Sequence, residues 1–250
     1  MIVPLSKLFI QKFTNHLEHL LVEHLVVEHL QKSQDIDSSR NLLADQLSKM
    51  SKHAETLMIW NRKINLTAIK CPLQMAEKHF YDSIMAASFL SNEITSIADI
   101  GSGGGFPGIP LKIMNPQIKL LMIDASKKKV TFLKHIIHLL ELEDADAVHV
   151  RLDRNNRSGL NGQGGGSGES GQDLGNKFDA VISRALTDLE SFVDIALPLL
   201  KPRGLIYAMK GKGIKKEISK TLTDRFDWQM NHYVLPGENA DRYVIELAPG

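Results

Sequence analysis

The chain has 250 residues, 43% of them hydrophobic and 24% charged, with a formal net charge of +1 at pH 7. That length holds one sizeable α/β domain plus an accessory segment, since domains usually run to about 100–200 residues. A single cysteine, Cys71, excludes an internal disulfide framework and points to a reducing cytoplasm, while the balanced charge leaves any nucleic-acid site to local basic patches.

Residues 1–33 read as a helical arm rich in Leu, His and Val. Lys7, Lys12, Glu18 and its histidines break up the apolar region a signal peptide needs. No apolar run in the chain reaches the roughly 18–20 residues of a membrane span, so no membrane association is expected. The near-repeat Glu18-His19-Leu20, Glu23-His24-Leu25, Glu28-His29-Leu30 has a period of five. Five residues advance a helix by about 140°, so the histidines do not share a face and no metal site is expected. The arm reads as a solvated or loosely packed extension.

A polar break at Ser33–Ser39 opens an N-terminal helical segment, residues 34–92. Leu42, Leu43, Leu47, Met50, Ala54, Leu57, Met58 and Trp60 recur at helical spacing. Asn61 to Thr67 should turn out of that helix, and Met75 to Leu90 resumes the period. Residues 93–250 then alternate strand and helix. Expected strands are Ile97–Ile100, Lys119–Asp124, Ala147–Asp153, Phe178–Ser183 and Gly204–Lys210. Helices are expected from Leu111, over Lys128–Leu140 and over Leu189–Leu200, with a terminal hairpin of Trp228–Leu235 and Arg242–Leu247. Such alternation predicts an α/β fold: a doubly wound, mostly parallel, Rossmann-like sheet with ligands at the C-terminal strand ends. Residues 154–177, rich in Gly, Ser and Asn, bury too little apolar surface to order themselves and read as a mobile insert.

The chemistry concentrates after the first strand, in Asp99-Ile100-Gly101-Ser102-Gly103-Gly104-Gly105-Phe106-Pro107-Gly108. Glycine lets the backbone take positive φ and approach a ligand with no Cβ in the way. An acid that closes a strand and opens on glycine suits a cationic, amine-bearing ligand such as S-adenosylmethionine. The spacing Asp99-x-Gly101-x-Gly103-x-Gly105 is that of class I methyltransferases. Gly103 to Gly108 also fits G-x-G-x-x-G, the dinucleotide fingerprint, although Pro107 and Pro110 crowd the helix start. An NAD-dependent oxidoreductase is therefore one rival reading.

Asp124 closes the second strand, where an acid accepts from ribose hydroxyls; the alternative is a cap on the following helix, which Ser126 could equally supply. Leu152 and Asp153 end the third strand, where an adenine ring would lie, or are ordinary strand-end residues. Arg184 ends the fourth strand and Lys210 the fifth, with Lys212, Lys215 and Lys216 beyond; Lys127, Lys128, Lys129 and Lys134 form another basic cluster. Together they suit a phosphodiester chain along one crevice, which also admits a non-catalytic RNA-binding protein. Cys71 stands before Pro72 outside the sheet, and no hydrolytic constellation is visible.

From Asn41 onward the chain resembles the glucose-inhibited division protein B family. The resemblance rests on Trp60-Asn61-x-x-Ile64-Asn65-Leu66-Thr67, His79-x-x-Asp82-Ser83, the Asp99–Leu111 run with its Phe-Pro-Gly-Ile-Pro phrase, Ile182-Ser183-Arg184-Ala185 and Met209-Lys210-Gly211. It implies an S-adenosylmethionine-dependent methyltransferase that modifies N7 of a guanine in 16S ribosomal RNA of the small subunit. Cofactor contacts are implied at Gly101, Phe106, Leu152, Asp153 and Arg184, with Asp124 on the ribose; Asp99 and Gly103 join them from the spacing. Arg184 and Lys210 are expected to hold the base or adjoining phosphates, and His79 and Asp82 to line the substrate side. Asp153 stands where the family commonly has glutamate, and residues 1–33 lie outside the resemblance. Guanine N7 carries an exposed lone pair and needs no deprotonation, so the lack of a general-base motif agrees with this reading. Nothing in the sequence demands more than a monomer.

Overall fold

The computed structural model describes residues 7–23, 36–152, 174–184 and 186–249, and the side chains of 36–39 are not among those described. His24, His29, Asp153 and most of the glycine-rich insert therefore lie outside the described residues.

In chain order the elements begin with helices α1 (Lys7–Leu21), α2 (Ile36–Asn61) and α3 (Pro72–Met75). The last continues through a π-helical turn, Ala76–Tyr81, into α4 (Asp82–Ala87). There follow β1 (Ser96–Ile100), α5 (Gly108–Met114), β2 (Lys119–Asp124), α6 (Lys127–Leu139), β3 (Ala145–His149) and β4 (Phe178–Arg184). The chain ends with α7 (Leu189–Ala196), β5 (Leu200–Lys210), a 3-10 turn (Lys212–Lys216), α8 (Lys220–Arg225), β6 (Phe226–Leu235) and β7 (Ala240–Pro249).

The seven strands form one sheet in the order β3-β2-β1-β4-β5-β7-β6. The pairs β1–β2, β1–β4, β2–β3 and β4–β5 are parallel, and β7 runs antiparallel to both β5 and β6. The order reverses at β1/β4, the switch point where open α/β sheets bind ligands. The expected parallel, doubly wound sheet is what forms.

Alternation along the strands sends side chains to two cores. Ile97, Leu120, Met122, Ala180, Ile182, Tyr207, Met209 and Val244 face the N-terminal helices, with Phe13, Leu17, Met50, Leu57 and Phe80 opposite. Ala98, Ile100, Ile123, Val181, Ile206, Ala208 and Ile245 face α7, with Phe192 and Val193. By the same parity Asp99, Asp124 and Arg184 lie on the first of these faces.

Four expectations change. The arm is not loosely packed over Lys7–Leu21: Phe13, Leu17, Leu20 and Leu21 are buried, and Phe13 meets Phe80 edge-on at 4.9 Å. β3 runs over Ala145–His149, not Ala147–Asp153, because its partner β2 stops at Asp124, which pairs with His149; Leu152 therefore follows the strand rather than ending it. The helix after the glycine turn starts at Gly108 rather than Leu111, since Pro110 falls in its first turn, where a missing N–H costs no helical bond. The expected helix over 75–90 is a composite with a π-turn at its centre.

Candidate active site at the glycine turn

The chain leaves β1 through Gly101, Gly103 and Gly105, all at positive φ (74°, 57° and 92°). The Gly101 N–H donates to the Ile123 carbonyl at 2.7 Å, tying the turn to β2, and the N–H groups of Gly105 and Phe106 donate to the Ser102 carbonyl at 2.7 and 3.0 Å. A Cβ at Gly103 would meet only the Gly101 carbonyl oxygen, at 3.8 Å. The turn is thus a backbone cradle with open space beside it, as close approach of a ligand requires.

Asp99 stands two residues before the turn, near the C-terminal end of β1. It is fully buried, its Oδ2 accepts the Gly108 N–H at 3.0 Å, and its Oδ1 has no partner among the described residues. Burial pushes the carboxyl up to about 7, with the Gly108 N–H and the Ser102 hydroxyl working against it. On the central strand β1, facing the helical layer, Asp99 joins β1 to the start of α5 through Oδ2, and Oδ1 is the atom left for any ligand contact.

Asp124 joins the turn from the other side. Its Oδ2 accepts the Gly103 N–H at 3.0 Å and its Oδ1 the Ser126 N–H at 2.8 Å. An ionised carboxylate offers about four lone-pair sites, so capacity remains for hydroxyl donors. The Val150 N–H donates to the Asp124 carbonyl at 3.2 Å, which brings the segment bearing Leu152 beside β2. Leu152 is half-buried against the second core; Asp153 lies outside the described residues.

Phe106 is the centre of a stack. His79 lies 4.6 Å from it on one contact and His53 5.0 Å on another, with interplanar angles of 21° and 18°. The Arg184 guanidinium sits 5.2 Å from the same ring, a cation–π distance. Arg184 Nη1 donates to the Lys78 carbonyl at 2.8 Å and lies 3.5 Å from Asp82 Oδ2; Nη2 donates to His79 Nδ1 at 3.1 Å. Burial lowers the Arg184 pKa and the Asp82 charge opposes that shift. His79 is pushed down to about 3, chiefly by burial and then by the Arg184 charge, so its ring is neutral near pH 7.

Asp82 therefore does not line an open substrate face, as the sequence led us to expect, whereas His79 is half-buried beside Phe106 and Arg184. Asp82 is 3% exposed and fully engaged: its Oδ1 also accepts the Tyr233 hydroxyl at 2.7 Å and lies 3.4 Å from Arg242 Nε. Lys210 departs as well. Its ammonium donates to the Thr187 carbonyl at 2.5 Å and to Glu217 Oε2 at 2.7 Å, and its side chain is only 10% exposed. Glu217, which also accepts the Leu189 N–H at 2.9 Å, draws Lys210 inward. Of the basic residues near the strand ends, Lys127, Lys128, Lys212, Lys215 and Lys216 are exposed; Lys134 lies about 10 Å further along α6.

Four participants escaped the sequence reading. His53 donates through Nε2 to the Gly104 carbonyl at 2.8 Å; its signal is the spacing Met50, His53, Leu57, which puts it on the apolar face of α2. Thr67, in the quoted Asn-Leu-Thr motif, bonds His79. Tyr233 and Arg242 reach Asp82 from the terminal hairpin, and no local pattern announces that. Among the described residues, no group of three or more His, Cys, Asp or Glu is placed to hold a metal ion, and no helix is long and apolar enough to cross a membrane.

Comparison with known proteins bears on all of this. The family model GidB, described as rRNA small subunit methyltransferase G, matches residues 46–242. A ribosomal RNA small subunit methyltransferase G of Geotalea uraniireducens is 42% identical over 212 residues, covering 83% of this chain and 90% of the relative. One from Oceanobacillus iheyensis is 35% identical over 214 residues, covering 83% and 84%. Among solved structures, a predicted O-methyltransferase of Agrobacterium tumefaciens shares the fold with a TM-score of 0.55 at 18% identity, covering 68% of this chain and 81% of that one. The oxidoreductase suggested by the literal dinucleotide fingerprint is set aside by the family match. The chain belongs to the GidB family of small-subunit ribosomal RNA methyltransferases.

Proposed function

We propose that this chain transfers a methyl group from S-adenosylmethionine to N7 of a guanine in 16S ribosomal RNA of the small subunit. The observation that carries the reading is the turn of Gly101, Gly103 and Gly105 at positive φ, with Asp124 bonded to the Gly103 N–H and the Arg184 guanidinium beside the ring of Phe106, which follows the glycines. These residues fit the cofactor: open backbone at Gly103 and spare acceptor capacity on Asp124 suit a nucleoside with two ribose hydroxyls. Gly101, Gly103, Phe106, Asp124 and Leu152 would hold it, with Asp153 a further candidate. When bound, it supplies an electrophilic methyl group on a sulfonium.

The rest falls to the chain's own side chains. Guanine N7 needs no base to remove a proton, and neither His79 nor Asp99 is arranged as one: the His79 Nδ1 lone pair accepts from Arg184, and Asp99 is enclosed. The enzyme's task is in-line positioning, which supplies roughly 7–11 kcal/mol of barrier lowering in well-oriented systems. Arg184 is the cation at the switch point and is assigned to orienting the base or an adjoining phosphate. Lys127, Lys128, Lys212, Lys215 and Lys216, exposed near the C-terminal strand ends, are assigned to RNA phosphates, which position a strand without reading its sequence. The enzyme is placed in the cytoplasm, acting as a monomer.

The test is methyl transfer from radiolabelled S-adenosylmethionine to naked 16S ribosomal RNA, small subunits and a protein extract in parallel. Label in the ribosomal RNA of either of the first two supports the reading. Cofactor binding with no label in any of them contradicts it and favours an RNA-binding protein without catalysis.

A further inference from the structure

We propose that His79 is a positioning residue, whose Nδ1 lone pair, aimed by Thr67, holds the Arg184 guanidinium over Phe106, the residue that follows the glycine turn. The tautomer follows from the partners. A guanidinium only donates, so the 3.1 Å contact from Arg184 Nη2 makes Nδ1 the acceptor and leaves the ring proton on Nε2. Nε2 lies 2.7 Å from Thr67 Oγ1 and donates to it. That oxygen also accepts the Ile69 N–H at 3.0 Å, which fixes the hydroxyl as an acceptor in place.

Thr67 is itself held. Asn61, the last residue of α2, accepts the N–H groups of Leu66 and Thr67 through Oδ1 at 2.8 and 3.0 Å and donates through Nδ2 to the Thr67 carbonyl at 2.7 Å. One side chain thereby folds the loop back on the helix end. The π-turn Ala76–Tyr81 completes the arrangement: His79 stacks on Phe106 from it, while the Lys78 carbonyl receives Arg184 Nη1 at 2.8 Å. π-turns are rare and recur at functional sites. Burial keeps the ring neutral, with a pKa of about 3, so the lone pair persists across the working pH range. A histidine that merely filled space would need neither a fixed tautomer nor an acceptor directed at the guanidinium over Phe106. The sequence Asn61, Thr67, His79, Arg184 is thus a continuous path from the end of α2 to the end of β4.

The kinetic arm of the test rests on the proposed methyl transfer; the spectroscopic arm does not. In the free protein, 15N-histidine NMR is expected to show His79 as the Nε2–H tautomer between pH 5 and pH 8, with the Nδ1 resonance moving toward that of an unbonded imine nitrogen in Arg184→Ala. A proton on Nδ1, or an Nδ1 resonance indifferent to Arg184→Ala, overturns the proposal. In the methylation assay His79→Leu should lower kcat/KM by about 10- to 100-fold, as losses of groups that orient a working residue do. His79→Asn, which restores an acceptor near the Nδ1 position, should recover most of that loss. Combined with Arg184→Ala, His79→Leu should add nothing, because residues that act through one another are not additive. Additive losses in the double variant, with all variants folded by circular dichroism, overturn the proposal. Should His79→Leu fail to fold, Thr67→Val, which removes the acceptor that aims the His79 ring, carries the same cycle. A wild-type protein that transfers no methyl group contradicts the proposed function, and the NMR result still decides the role of His79.

Discussion

The carboxylate of Asp99 accepts the backbone N–H of Gly108 at 3.0 Å, across the whole glycine turn that Asp99 precedes. β1 is thereby tied to the first residue of α5, and the cradle is clamped between two fixed ends. A buried acid spent in this way shapes the binding loop through Oδ2.

Gly108 has no room for a side chain because of that bond. A Cβ there would stand 2.8 Å from Asp99 Oδ2 and 3.3 Å from both Leu120 methyls. Gly108→Ala is expected to destabilise the fold by about 1–3 kcal/mol, the usual cost of overpacking, and to weaken S-adenosylmethionine binding. Gly213→Ala, with nothing within 4 Å of its Cβ, is the control and should stay within about 0.5 kcal/mol. Urea unfolding and calorimetric titration check both. Equal stability of the two variants contradicts the clamp.

The same carboxyl gives the stability curve a definite shape. Burial raises Asp99 from 3.8 to about 7, so folding holds a proton there that the unfolded chain releases, and this contribution falls as pH rises through that window. Burial lowers His53 to about 4 and His79 to about 3, both from 6.5. Their contributions act the other way: the unfolded chain takes up protons that the fold refuses, so stability is lost as pH falls below 6.5. Between about pH 4 and pH 6.5 the two histidines outweigh the aspartate, so these three groups together make stability rise with pH. Just above that range only Asp99 acts, and the curve turns slightly down. Asp99→Asn should steepen the acid limb and remove the downturn in melting temperature. An unchanged pH–Tm profile for that variant contradicts the assignment.

The N-terminal arm belongs to the core over Lys7–Leu21. Phe13 is fully buried and meets Phe80, which in turn meets Phe106 edge-on at 5.1 Å. Phe13→Ala should cost about 3–5 kcal/mol, read from the urea midpoint. A loss below 1 kcal/mol, on the order of an exposed site, means that the arm is a loose appendage.

Tyr233 binds Asp82 from the far end of the chain, 151 residues away in sequence. Tyr233→Phe withdraws one donor from a buried carboxylate shared by Arg184 and Arg242, and about 1–3 kcal/mol of stability should go with it. Full retention of stability in equilibrium unfolding shows that the two arginines satisfy Asp82 unaided.

How far the sequence could be read follows from where each signal lies. The strand, glycine turn and second strand were legible because local parity and glycine chemistry determine them within about a dozen residues. The same parity put Asp99 beside Ile97, and so toward the helical layer, but its bond to the Gly108 N–H spans a turn whose path the sequence does not state. The end of β3 was not legible, because it depends on where β2 stops. Nor was the π-turn that carries His79, which no spacing of apolar residues distinguishes from an ordinary helix. Lys210 looked free because Glu217 sits beyond a turn whose geometry the sequence does not state. Tyr233 and Arg242 meet Asp82 only through the pairing of β5 with β7, a tertiary event.

The central claim is methylation of guanine N7 in 16S ribosomal RNA, and strand scission at methylated guanine tests it most directly. After incubation with the protein and S-adenosylmethionine, the RNA is treated with borohydride and aniline, which cleave at N7-methylguanine, and the fragments are mapped by primer extension. The account predicts one new cut, at one guanine, that requires both protein and cofactor and is much weaker with Arg184→Ala. Methyl label in the RNA with no cut, or label on a nucleotide other than guanine, contradicts it.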